Sequence, residues 1–183
     1  MNNRKFSPKV KEVISKSRDM AVRLGHDYIG TEHLLLGIVA ERKGLATRVL
    51  RSLDVDVEDL KQEIEDSIRK DKNQNAALNV GNLPLNKEAE KVLKVTLLEA
   101  KMLKSEEICP EHLMLSILKH RDNLASKILY RFEVDYDNYK SELGYVRQEQ
   151  DMSTQQDPYA QSPSDQDEPF EGEEESGQSR YQR

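Results

Sequence analysis

A glutamate followed by a histidine occurs twice in this 183-residue chain, at Glu32-His33 inside IGTEHLLLGIV (29–39) and at Glu111-His112 inside ICPEHLMLSIL (108–118). A carboxylate beside an imidazole suggests metal binding or proton transfer, and spacing decides between them. Zinc sites gather three or four ligands at short spacing, but each His here has only its adjacent Glu, and no HExxH occurs. A histidine on an inner helix face, hydrogen-bonded to a neighbouring helix, is the better account of His33 and His112. Cys109 would need a base and an orienting partner to act as a nucleophile, and the sequence identifies neither, so it reads as a partly buried thiol at a helix start.

Glu32 and Glu111 fall in the first turns of equivalent helices, where the helix dipole favours a carboxylate by about 0.3–1 kcal/mol. Two such carboxylates, repeated at the same place, are also able to grip a planar cation such as a guanidinium. On the residues alone both readings stand. Neither GxxxxGK[ST] nor GxGxxG is present, so no phosphate-cradling loop is recognisable and ATP hydrolysis by this chain is not expected.

The elements that must carry these residues are written as a duplication. With an offset of 79 and no gap, Phe6–Lys61 lies on Leu85–Lys140, and the identities, such as Val13/Val92, Leu34/Leu113, Ile38/Ile117 and Leu50/Leu129, are mostly apolar at helical spacing. Each copy reads as four helices. In the first copy Ser7 caps a helix with Pro8 at its first position, and Gly25 stops it. A second helix runs from near Thr31 to near Gly44 with Leu34, Leu35, Ile38 and Val39 inward. A third covers Leu45 to Leu53, and a fourth, capped by Asp56, reaches Arg69 and Lys70. The second copy repeats the plan over Asn86–Leu103, Pro110–His120, Leu124–Phe132 and Asp135 to about Leu143. The expected fold is all-α, with about eight helices in two tandem pseudo-symmetric repeats (about 6–70 and 84–143) joined by a loop at 71–83, so that one domain spans 1–146.

Composition agrees with a soluble helical protein: 36% hydrophobic, 34% charged, no Trp, and one Cys, which suits a reducing, cytoplasmic setting. No apolar run approaches the roughly 20 residues needed to span a bilayer, and MNNRKFSPK lacks the apolar centre of a signal peptide. The net charge of −6 is unevenly spread: 147–183 holds ten acids against three bases, which leaves +1 on the preceding residues. That balance gives no support for nucleic-acid binding, and the cluster Arg42, Lys43, Arg48, Arg51 reads as a solvated helical face. Segment 147–183, rich in Gln, Ser, Pro, Asp and Glu, lacks a periodic apolar face and is expected to be a disordered acidic linker or tail.

The stretch RLGHDYIGTEHLLLGIVAERKGLATRVLRSLDVD resembles the Clp N-terminal repeat at the front of ClpC, ClpA and ClpB unfoldases, with ClpC the most similar, and the resemblance extends over both copies. It implies a recognition module without catalysis or cofactor of its own. Such a module delivers substrates and adaptor proteins to AAA+ rings, which use ATP and Mg and work with the ClpP protease. A free-standing regulatory protein competing for the same adaptors is the alternative. In some ClpC proteins the Glu of each GTEH motif helps bind phosphoarginine, which by resemblance nominates Glu32, Thr31, Ser7 (where the family has Thr) and Glu111. The second copy departs from the motif, with Cys109-Pro110 in place of Gly-Thr and Asn86 in place of the helix-start hydroxyl, and Pro110 brings no N–H to a phosphate.

Overall fold

The computed structural model describes residues 5–69 and 83–161, the side chains of 153–161 excepted. The loop expected at 71–83 lies almost wholly outside them. Residues up to Gly144 form one compact unit. Its first copy contains β1 (Lys5–Phe6), α1 (Pro8–Arg23), α2 (Thr31–Ala40), α3 (Leu45–Ser52) and α4 (Val57–Ile68). The second contains α5 (Lys87–Met102), β2 (Glu107–Ile108), α6 (Pro110–Lys119), α7 (Leu124–Arg131) and the start of α8 (Tyr136–Gln161). None of the described helices is long and apolar enough to cross a membrane.

The local signals for starting helices act as expected. Ser7 Oγ accepts from the Val10 N–H, Asn86 Oδ1 from Ala89 and Asp56 from Glu58 and Asp59, which satisfies first-turn donors that would otherwise lack partners. The stops are more uniform than the sequence suggests. Gly25 ends α1 with φ 82°, and Lys104, Asp54 and Glu133 take the same left-handed conformation after α5, α3 and α7. All four ends carry the paired Schellman bonds, for example His26 N–H to Ala21 O and Ser105 N–H to Ala100 O, both 2.9 Å. Hydrogen bonds to the last carbonyls hold the left-handed residue even where it bears a Cβ.

Burial separates the inner helices from the rest. Every residue of α2 from Thr31 to Val39 and of α6 from Glu111 to Leu118 is buried, not only the stripe legible in the sequence. A helix apolar all round is one enclosed on all sides. Helix α2 packs on α1, α4, α5 and α7, while α6 packs on α5, α7 and α3, so the two copies share one core. Tyr139, fully buried on α8, donates its hydroxyl to Ala46 O of α3 at 2.9 Å and fastens copy to copy.

The copies solve one packing problem with different residues. After α2, the carbonyls of Ile38 and Glu41 are met by the Thr47 hydroxyl; after α6, the equivalent carbonyls of Ile117 and His120 are met by the Asn123 amide. Asn123 also caps α7 by accepting from Ser126 N–H at 2.8 Å. Asn123→Ala is therefore expected to cost about 2 kcal/mol, more than an ordinary cap, because two carbonyls at the end of α6 also lose a side-chain donor. Urea denaturation of the variant checks this.

Two features differ from the sequence reading. Helix α8 runs to Gln161 rather than stopping near Leu143. Residues 145–152 are rich in good helix formers, and propensity continues a helix after its apolar stripe has ended. The expectation of a disordered tail concerns 147–183, of which 162–183 lie outside the described residues. Second, β1 and β2 form a two-residue parallel ladder, Lys5 opposite Glu107 and Phe6 opposite Ile108, and an isolated parallel bridge joins Ile29 to Leu85. Two residues are too short for a period-two pattern to register in sequence.

Candidate functional site

These short ladders decide which helix starts stand together, and they cross the copies. The Ser7 N–H donates to Ile108 O, and the equivalent Asn86 N–H donates to Ile29 O, both at 2.9 Å. The start of α1 is thus tied to the start of α6, and the start of α5 to the start of α2. Of the residues nominated from sequence, Ser7 lies with Glu111, while Glu32 lies with Asn86. Ser7 and Glu32, although both in the first copy, therefore stand at different helix pairs.

Thr31, also nominated by the resemblance, takes part in packing between the copies. It is buried, and its hydroxyl accepts from the Ala125 N–H in the first turn of α7 at 3.3 Å. Its oxygen satisfies an inter-copy backbone donor. Ser7 is also buried, its hydroxyl occupied as the α1 cap.

Glu32 and Glu111 are both buried, yet their surroundings differ. The Glu32 carboxylate folds back over Gly30 and accepts from Tyr28 OH at 3.1 Å. A Cβ at position 30 would lie 2.6 Å from Glu32 Oε1, so a side chain there would displace the carboxylate from this position; the φ of −109° is open to any residue. Cys109 occupies the equivalent place before Glu111. The position of Tyr28 is taken by Glu107 in the second copy, so the hydroxyl donor is missing there.

Behind Glu32 lies a chain of imidazoles. The Gly30 N–H donates to His33 Nδ1 at 2.9 Å, which leaves the proton of His33 on Nε2. That proton is donated to His26 Nδ1 at 2.9 Å, and His26 Nε2–H in turn donates to Ile68 O at 3.0 Å. Burial, helped by the neighbouring His26, pushes the His33 pKa down to about 3, so the ring is neutral at physiological pH. The tilted ring of His26 and the edge-on ring of Tyr28 pack against His33. His112 accepts equivalently from the Cys109 N–H at 2.8 Å, while Ser105 stands where the first copy has His26. Both histidines are thus internal hydrogen-bonding groups. Among the described residues no group of three or more His, Cys, Asp or Glu is arranged to hold a metal ion.

Sequence reasoning missed Tyr28 and His26, which stand four and seven residues before Glu32 and His33 but lie in the connection between α1 and α2, outside any apolar stripe that would have drawn attention to them. It also missed Glu99, a buried carboxylate on α5. Glu99 accepts from Tyr136 OH at 2.7 Å and pairs with Lys119, and burial with Glu99 as neighbour pushes the Tyr136 pKa up to about 12. The first copy has Met20 at the equivalent place, so no repeat comparison draws attention to it.

With the fold and the two helix-start pairs in view, comparison with known proteins identifies the architecture. The family model of the Clp repeat N-terminal domain matches residues 5–132 and 85–167. The chain is 32% identical over 139 residues to a ClpA homolog, an ATP-dependent Clp protease ATP-binding subunit, of Porphyra purpurea, and equally to the chloroplastic chaperone protein ClpC2 of Arabidopsis thaliana. Each match covers 76% of this chain but only 16% and 14% of those relatives, so the chain spans a small part of their length. Among solved structures, the N-terminal domain of ClpD from Arabidopsis thaliana superposes with a TM-score of 0.60 at 18% identity, covering 78% of this chain and 94% of that one. The Hsp104 N-terminal domain from Candida albicans gives 0.66 at 14% identity, covering 78% and 91%. A duplicated four-helix unit whose N-terminal segments cross between copies, matched by the family model over most of its length, makes this chain a member of the Clp repeat N-terminal domain family.

Proposed function

We propose that the chain is the substrate- and adaptor-recognition domain of a ClpC-like unfoldase, and that it binds phosphoarginine at the joined starts of α2 and α5. The observation that carries this is the placement of Glu32 at a helix start whose first residue, unlike a proline, carries an N–H. A guanidinium needs a carboxylate, which Glu32 supplies once it releases Tyr28 OH. A phosphoryl group needs free N–H donors at a helix N-terminus. The first positions of α2 and α5 are Thr31 and Lys87, both of which bring an N–H. At the other pair, α1 and α6 begin with Pro8 and Pro110, and neither does. The Glu111 site is therefore the weaker of the two, and Asn86 belongs with Glu32 in the stronger one.

Calorimetric titration with free phosphoarginine tests the reading. Glu32→Ala is expected to weaken binding about tenfold or more, as loss of a charge-assisted contact does, and Glu111→Ala less than about threefold. Absence of binding by the parent chain, or equal binding by parent and Glu32→Ala, would overturn it. Delivery of substrates to an ATP-driven ring and its protease follows from the same reading, with the relatives' ATP-binding subunits as its support.

A further inference from the structure

The duplication produces a second feature in two versions. Each copy has a groove between the end of its second helix, its third helix and the turn that follows. In the first copy a space of about 300 Å³ is lined by Arg42, Arg51, Val55, Asp56, Val57 and Glu58. In the second, about 320 Å³ is lined chiefly by Leu118, Arg121, Lys127, Tyr130, Val134 and Asp135. Arg42 corresponds to Arg121, Arg51 to Tyr130, Val55 to Val134 and Asp56 to Asp135, so backbone geometry makes the groove and sequence divergence fills it differently.

In the first copy Arg42 pairs with Glu58 at the groove. In the second, Glu58 is replaced by Asp137, and among the described residues neither Arg121 nor Lys127 has an ion-pair partner. The carboxylate of Asp135 is engaged in capping α8, accepting from Asn138 N–H at 2.8 Å. Tyr130 stands 65% exposed, one helical turn from Lys127, above the buried Leu118 and Val134. An aromatic ring left in water, over an apolar floor and flanked by two unpaired cations, matches one kind of occupant.

We propose that the α6–α7 groove binds acidic peptide segments of partner proteins that carry an aromatic side chain. The ring enters between Tyr130 and the Leu118–Val134 floor, and flanking carboxylates reach Arg121 and Lys127. The volume accommodates one large side chain, and the charge selects its neighbours. None of Ser7, Glu32 or Glu111 lines this groove, so the proposal does not rest on the phosphoarginine reading.

The test uses the full chain and a fluorescein-labelled peptide, Asp-Glu-Glu-Phe-Glu-Asp-Glu, with fluorescence anisotropy at low and moderate salt. Saturable, salt-sensitive binding is expected, weakened about tenfold by Arg121→Glu with Lys127→Glu and less than about twofold by the first-copy control Arg42→Glu. Tyr130→Ala is expected to weaken the Phe peptide about fivefold and to leave its Phe→Ala form unaffected. Unchanged thermal midpoints show that the surface variants fold. The proposal is overturned by equal weakening in the Arg42→Glu control, by equal affinity for the peptide lacking Phe, or by no saturation below about 1 mM, weaker than recognition peptides bind. It is also overturned if sedimentation shows the Tyr130 face pairing two copies and excluding the peptide.

Discussion

In the His33→Ala variant the unfolding free energy at pH 7 is expected to fall by about 3–4 kcal/mol, and the acid sensitivity of the parent is expected to fall with it. Truncation leaves a buried space beside His26 and Tyr28, strands the Gly30 N–H and removes the donor to His26 Nδ1. The pH effect has a definite direction. An unfolded histidine titrates near 6.5, whereas folded His33 resists protonation down to about 3. Above pH 6.5 neither state takes the proton and the full stability is present. Below it the unfolded chain gains a proton that the folded chain refuses, so stability drains as pH falls towards 3. Between pH 7 and pH 5, before most carboxylates titrate, this one ring accounts for about 2 kcal/mol of loss. Urea denaturation at pH 7, 6 and 5 measures it. A parent and a His33→Ala variant with the same slope over that range would show that the imidazole chain is not the acid-sensitive element.

Gly37→Ser is expected to cost about 3 kcal/mol, although serine is the residue that the second copy carries at the equivalent position, Ser116. A Cβ at position 37 would lie 2.5 Å from Val13 O and 2.6 Å from Ser17 Oγ. The first neighbour is helical backbone and cannot rotate away, so α1 and α2 must separate across a packed interface. In the second copy Ser116 Oγ donates to Val92 O at 2.7 Å, so α5 and α6 are spaced to include the side chain that α1 and α2 exclude. The reverse change, Ser116→Gly, should cost only about 1–2 kcal/mol, from one lost hydrogen bond and the lower helix propensity of glycine. Thermal unfolding of both variants checks the asymmetry, and a Gly37→Ser protein as stable as its parent would mean that the close approach of α1 and α2 is not a constraint.

Much of this architecture is legible before any coordinates. Apolar residues at helical spacing, Ser7-Pro8 and Asp56 as starts, and a gapless 79-residue repeat locate all eight helices to within a residue or two, apart from the ends of α2 and α8. These signals are local, acting through side chains within a turn of one another, and a linear sequence preserves them. The residues Glu32, Glu111, His33 and Ser7 were also visible as candidates, since each stands at a helix start or on its first turn.

Their grouping was not visible. Ser7 and Glu32 stand in the same copy, whereas the Ser7–Ile108 and Asn86–Ile29 hydrogen bonds join opposite copies. Likewise Thr31, nominated by resemblance for a ligand site, accepts from the Ala125 N–H, 94 positions away in sequence. The sequence by itself determined a duplicated all-helical unit, its caps and its core face, because those follow from periodicity and short-range hydrogen bonding. Only the tertiary structure decided which helix starts face one another and which polar groups are taken up by internal hydrogen bonds. Crossed pairing depends on backbone N–H and C=O groups, which every residue type carries alike and which therefore leave no mark in the order of side chains.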